Sequence, residues 1–182
     1  MVHRYVIALG SNRPHGRHGS PRRVIRGALD AMTEQGLVVE AVSPVLVTRP
    51  LGPSSRAYAN AAATVRTRLK PPALLAALKA LERDFGRRRG QRWGARTLDC
   101  DIVLWDGGVW GTAELTIPHP AYRERTFVLK PLLSVAAGWR DPISGLTPAQ
   151  LHARLTSPRP LPIRAPAAQA RALSSVGRAT DF

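Results

Sequence analysis

The run Asp99-Cys100-Asp101-Ile102-Val103-Leu104 sets two carboxylates two residues apart at the mouth of an apolar stretch. In a β-strand, alternation projects Asp99 and Asp101 from one face and Leu98, Cys100, Ile102 and Leu104 from the other. The segment is therefore predicted to be a strand with one face in a core and one face carrying charge. A pair of aspartates on the solvated face of an edge strand means nothing by itself. Upstream, however, stand Arg87, Arg88, Arg89, Arg92 and Arg96. Carboxylate oxygens hold Mg²⁺ and guanidinium forks hold phosphate oxygens, so the two charge types side by side suit a metal-bound polyphosphate.

The elements around this strand follow a recognisable order. Tyr5–Leu9 is wholly apolar, reads as a strand buried on both faces, and ends at Gly10-Ser11-Asn12. After the basic loop Arg13–Arg22, Val24, Ile25, Ala28, Leu29 and Met32 recur at helical spacing between the start signal Ser20-Pro21 and the stop Gly36. Leu37–Val47 reads as a second strand and Tyr58–Leu69 as a third, with the turn-prone segment Pro50–Ser54 between them. Pro71-Pro72 opens a helix carrying Leu74, Leu75, Leu78, Leu81 and Phe85, which Gly86 closes. With the strand Leu98–Trp105 the order is strand, helix, strand, strand, helix, strand. This predicts an α+β, ferredoxin-like split βαβ sandwich: a largely antiparallel sheet with helices packed on one face. A small unit over Val109–Pro120 and a helix over Thr126–Ala137 follow as a C-terminal extension. A chain of 182 residues suits one domain, assigned to residues 1–155. The Pro-, Ala-, Arg- and Ser-rich stretch 156–182 is predicted to be a disordered tail.

Composition narrows the partners without choosing among them. The net charge of +15, from 27 basic and 12 acidic residues with only Lys70, Lys79 and Lys130 as lysines, implies an anionic partner: nucleotide, nucleic acid or acidic membrane. The single cysteine, Cys100, excludes an internal disulfide and any multi-thiolate metal site, and reads as a small core residue. No apolar run reaches the ~20 residues of a membrane span and no signal-peptide pattern opens the chain, which places it in the cytoplasm with no membrane partner. A nucleic-acid module on this fold would show exposed aromatics on the central strands. Only Tyr5 is available there, and the two aspartates would repel a phosphate backbone.

Five ordered blocks then carry a resemblance: Gly10-Ser11-Asn12; Thr48–Pro53 with Tyr58–Ala62; Glu82–Arg89; Arg92–Asp101; and Ile117-Pro118-His119 with Arg125-Thr126-Phe127. Over roughly residues 4–150 the chain resembles the 6-hydroxymethyl-7,8-dihydropterin pyrophosphokinase family of folate biosynthesis. The resemblance implies transfer of the β,γ-pyrophosphoryl group of ATP to the hydroxymethyl group of a reduced pterin, releasing AMP. It implies that Asp99 and Asp101 hold two Mg²⁺ ions and act in catalysis with Arg87 and Arg96. Arg89, Trp93, Ile102, Thr116, His119 and Arg125 would bind ATP, and Thr48, Leu51, Tyr58, Asn60 and Phe127 the pterin. The arginine-bearing stretch after Gly86 would be a loop that closes over the substrates. Glu82 is left open between a partner of that loop and an exposed helix carboxylate. His15 and His18 lack a third ligand, so their loop reads as an exposed insertion rather than a metal site. Cys100, Lys79 and Arg49 depart from the family pattern. The competing reading is a basic ferredoxin-like module that binds nucleic acid or a small molecule without turnover. The oligomeric expectation is a monomer.

Overall fold

The computed structural model describes residues 1–48, 57–86 and 97–158. Its main sheet comprises β1 (His3–Ser11), β2 (Val38–Val42), β3 (Leu46–Thr48), β4 (Tyr58–Thr67) and β5 (Asp99–Trp105), with α1 (Pro21–Glu34) and α2 (Pro71–Asp84) as crossovers. The order across the sheet is β2-β4-β1-β5, β3 also pairs with β4, and every pairing is antiparallel. That is the predicted ferredoxin-like arrangement. Both helices begin on proline, whose missing N–H would be unsatisfied there anyway, and both are followed by glycine at positive φ, Gly36 at 81° and Gly86 at 78°. A short hairpin of β6 (Trp110–Gly111) and β7 (Thr116–Ile117) follows, then a 3₁₀ turn at Tyr122–Glu124, α3 (Thr126–Val135) and α4 (Pro148–Thr156).

One face of the sheet presents Tyr5, Ile7, Leu9, Ala61, Ala63, Val65, Cys100 and Ile102 to Val24, Ile25 and Met32 of α1 and to Leu74, Leu78 and Leu81 of α2. The other face presents Val6, Ala62, Val103 and Leu104 to Val128, Leu129 and Leu132 of α3 and to Leu151 of α4. Tyr5–Leu9 is therefore buried on both sides, as its composition predicts. Helices confined to one face is the expectation that fails. Apolar side chains on both faces of the central strands require two covers, and α3 and α4 supply the second.

Three local differences from the sequence reading have simple causes. The single strand expected over Leu37–Val47 is broken between β2 and β3, where Pro44 has no N–H to pair. Ser43 keeps the connection on the sheet: its N–H donates to the Ala62 carbonyl and its Oγ accepts the Ala62 N–H, each at 2.9 Å. Val6 pairs with Leu104 but Ile7 with Ile102, so Val103 is an extra, bulged residue on β5. The bulge sends Leu104 to the α3 side, away from Cys100 and Ile102. Finally, α4 lies beyond the helices that apolar spacing predicts, although Thr147 and Gln150 form a capping box in which each side chain accepts the other's backbone N–H, at 2.9 and 3.3 Å. Residues 159–182, the greater part of the predicted tail, lie outside the described residues.

Candidate active site

Strand register places the polar residues. Asn60, Gly10 and Asp99 form one row across β4, β1 and β5, and Ala62, Ala8 and Asp101 form the next. Both rows lie on the face that α3 covers farther along, since Ala62 belongs to that cluster and Ala8 and Phe127 pack against it. Ala62 is fully buried there, while Ala8 and Gly10 between the flanking carboxylates and amide are half-buried. Beyond Asn60, Thr48 pairs with Tyr58, and Thr48 Oγ1 accepts a hydrogen bond from Asn60 Nδ2 at 2.8 Å. That bond fixes which end of the buried Asn60 amide faces β3 and leaves its other hydrogen and its oxygen for a further partner.

The carboxylate flank faces a turn. His119 follows the cis Ile117–Pro118 bond and donates its N–H to the Val103 carbonyl at 3.0 Å. Its Nδ1 accepts the Ala121 N–H at 3.3 Å, and its Nε2 lies 4.0 Å from Asp101 Oδ2. With Nδ1 used as an acceptor, the assigned tautomer carries its proton on Nε2, directed at the carboxylates. Burial and the neighbouring Asp99 charge push the Asp101 carboxyl above the usual carboxylate range, against the opposing influence of His119 and Lys79. Arg125 caps α3 and holds its guanidinium 5.9 Å from the centre of the Phe127 ring.

Comparison with known proteins decides the family. The sequence model described as 7,8-dihydro-6-hydroxymethylpterin-pyrophosphokinase matches residues 6–137. The chain belongs to this family. A 2-amino-4-hydroxy-6-hydroxymethyldihydropteridine pyrophosphokinase of Synechocystis is 40% identical over 152 residues, covering 83% of this chain and 75% of the relative. The enzyme of the same name from Pseudomonas aeruginosa is 42% identical over 146 residues, covering 78% and 86%. Among solved structures, Plasmodium falciparum HPPK-DHPS crystallised with pteroate superposes with a TM-score of 0.64 over 85% of this chain at 12% identity, a likeness of fold. This chain spans 42% of that longer protein.

In this pyrophosphokinase-family chain the described site residues divide cleanly. Asp99, Asp101, His119, Thr48, Tyr58, Asn60, Arg125 and Phe127 sit on or beside the open end of the α3 face, and Thr116 is exposed on β7. Ile102 is 2% exposed and packed on the opposite face with the α1 and α2 side chains, so its side chain does not share the face of Asp99 and Asp101. Leu51, Arg87, Arg89, Trp93 and Arg96 lie outside the described residues. The loop Arg13–Arg22 is exposed over most of its length, as expected, but it is anchored on the body of the fold at His18. The His18 ring stacks on Phe85 at 4.5 Å between centroids, and a Cβ on Gly27 would stand 2.5 Å from His18 Nδ1, so a glycine there makes room for the loop.

Glu82 is the residue that the sequence reading left open. It is fully buried, and its Oε1 accepts from Lys79 Nζ and from the Cys100 N–H, each at 2.8 Å. A signal was present: Glu82 stands four residues after Leu78, on the apolar stripe of α2, where a carboxylate must find partners.

Proposed function

We propose that Asp99 and Asp101 hold two Mg²⁺ ions on the ATP polyphosphate, and that Thr48, Leu51, Tyr58, Asn60 and Phe127 seat the pterin beside them. The chain transfers pyrophosphate from ATP to 6-hydroxymethyl-7,8-dihydropterin, giving AMP and the pterin diphosphate, a step of folate biosynthesis. The observation that carries the site assignment is the row Asn60–Gly10–Asp99. Two strand spacings make about 10 Å between the amide-bearing and carboxylate-bearing strands. A bicyclic ring whose amide-like edge meets Asn60 bridges that span with its hydroxymethyl arm toward Asp99 and Asp101.

The donor set fits magnesium. Among the described residues no group of three or more His, Cys, Asp and Glu could hold a metal. Mg²⁺ commonly takes one or two carboxylates and completes its shell with water and substrate phosphates. Two crowded carboxylates, one of them with its acid form favoured, are a pair that a divalent cation would relieve. When bound, Mg²⁺ neutralises phosphate oxygens and polarises the attacking hydroxyl. The protein's part is positioning and charge. Nε2–H of His119 donates to a phosphate oxygen, and Arg125 adds a cation on the same side. Arg87, Arg89 and Arg96 supply guanidinium forks to the transferring group, while Trp93, Thr116 and the main chain of Ile102 hold the rest of ATP.

Incubation of the purified chain with ATP and Mg²⁺ should release AMP only when the reduced pterin is present. Folded protein that releases none overturns the assignment.

Gly10 carries its own prediction. Among the described residues the nearest atom to a Cβ on Gly10 would be Asn60 Oδ1 at 3.7 Å, an ordinary contact, so the fold accommodates a methyl there, on the side where the pterin is placed. Gly10→Ala should leave the melting temperature nearly unchanged and raise KM for the pterin by about 10-fold, the equivalent of losing about 1.4 kcal/mol of binding. An unchanged KM would remove Gly10 from the pterin's seat.

A further inference from the structure

β5 closes one edge of the sheet, and an edge strand has outward N–H and C=O groups that the sheet does not pair. Among the described residues, two groups from outside the sheet occupy that edge: Glu82 Oε1 takes the Cys100 N–H, and the His119 N–H is given to the Val103 carbonyl. Cys100 is the residue between the two aspartates. Because a peptide unit is planar, holding this amide fixes the Asp99–Cys100 unit, from which Asp99 projects and from which the chain continues to Asp101. Pairing with Gly10 and Ala8 of β1 holds the strand from its other side. Glu82 also ties the last turn of α2 to the first residues of β5, on either side of the stretch 87–96 that carries Arg87, Arg89 and Arg96. A fully buried carboxylate is costly unless paired, and Lys79 Nζ at 2.8 Å supplies the countercharge.

We propose that Glu82 is a positioning residue: its Oε1 pins the Cys100 amide so that Asp99 and Asp101 stand at the spacing the metal requires. The inference rests on the assignment of that pair as the metal-holding residues. Glu82→Gln keeps an oxygen acceptor, whereas Glu82→Leu keeps the volume and leaves the amide unpaired. Two readouts separate them: hydrogen exchange at the Cys100 amide of the metal-free protein, and Mg²⁺ titration of the protein bound to an unreactive ATP analogue. In Glu82→Leu the Cys100 amide should exchange about 100-fold faster as the edge opens locally. Half-saturating Mg²⁺ should rise by about 10- to 100-fold, the usual effect of losing a group that orients a ligand. Glu82→Gln should stay near wild type in both. A folded Glu82→Leu variant with wild-type exchange and wild-type Mg²⁺ dependence overturns the proposal. If Glu82→Leu does not fold, Glu82→Gln decides alone: near-wild-type Mg²⁺ dependence supports the acceptor role, and a 10-fold loss with the Cys100 amide still protected overturns it. Wild-type protein whose analogue complex shows no saturable Mg²⁺ dependence overturns the metal assignment itself, a separate result because the exchange comparison is made without metal.

Discussion

Asp101→Asn should abolish turnover, with a loss on the order of 10³-fold or more, and should raise the thermal stability of the metal-free protein. The two effects have one cause. Burial and the Asp99 charge favour the protonated form of the Asp101 carboxyl. A carboxyl whose folded-state pKa is raised contributes favourably below its unfolded value of about 3.9 and loses that contribution as the pH rises through the folded value. At neutral pH the ionised Asp101 therefore opposes folding. An asparagine of the same shape removes the repulsion and also removes the anionic oxygen proposed to hold magnesium. Thermal unfolding with and without Mg²⁺ and an unreactive ATP analogue separates the halves of the argument: wild type should gain stability from the pair of ligands, while the variant should start higher and gain little. Retained turnover, or a metal-free variant that melts below wild type, would count against the metal role. A residue that destabilises the fold it belongs to is the expected mark of a functional site.

The sheet was legible because its punctuation is local. Pro21, Gly36, Pro71 and Gly86 mark the ends of α1 and α2 within the chain's own sequence, and a wholly apolar Tyr5–Leu9 announces a strand with two covered faces. The bulge at Val103 was not legible. An extra residue on β5 exists only relative to β1, and the partner's register is not a property of the run Asp99–Trp105 itself. The second cover is half legible: apolar spacing after Thr126 predicts α3, whereas α4 buries only Pro148 and Leu151, too few positions to show a helical period beside its Thr147–Gln150 capping box.

The site shows the same division. Alternation alone puts Asp99 and Asp101 together on one face, and the structure agrees. That Asn60 stands in the same row, with Gly10 between, needs the register of three strands whose members are far apart in sequence. Lys79 reads as a family departure until its Nζ is seen on Glu82, where its charge balances a buried carboxylate. Glu82 could have been flagged from the apolar stripe of α2, but its acceptor role at Cys100 belongs to the packing of α2 against β5.

Asp141→Asn should cost about 2–3 kcal/mol, as expected for losing charge-assisted hydrogen bonds to a partly buried arginine. For a chain of this size that lowers the melting temperature by on the order of 10 °C. Asp141 is 1% exposed and lies beyond the stretch 6–137 matched by the family. Its carboxylate accepts from Arg123 Nε and, at 2.7 Å, from Arg123 Nη2, and also from the Ile143 N–H at 3.0 Å and the Ser144 hydroxyl at 2.8 Å. Burial alone would push this carboxyl up, but Arg123, Ile143 and Ser144 together hold it well below the usual carboxylate range. Its stabilising effect is therefore complete at neutral pH and is lost as the pH falls through about 3.9 toward the depressed folded-state value. Wild type should lose stability steeply on that acid limb, and the variant, lacking the titrating group, should show a flatter one. A variant with the same acid limb would place the titration on another carboxylate. Because Arg123 sits in the 3₁₀ turn between His119 and Arg125, the pair also anchors the segment proposed to meet the phosphates. Below its melting temperature the variant should accordingly show a raised KM for ATP and a smaller rise in the pterin KM, since of the pterin residues Phe127 follows that turn whereas Thr48, Tyr58 and Asn60 stand on β3 and β4.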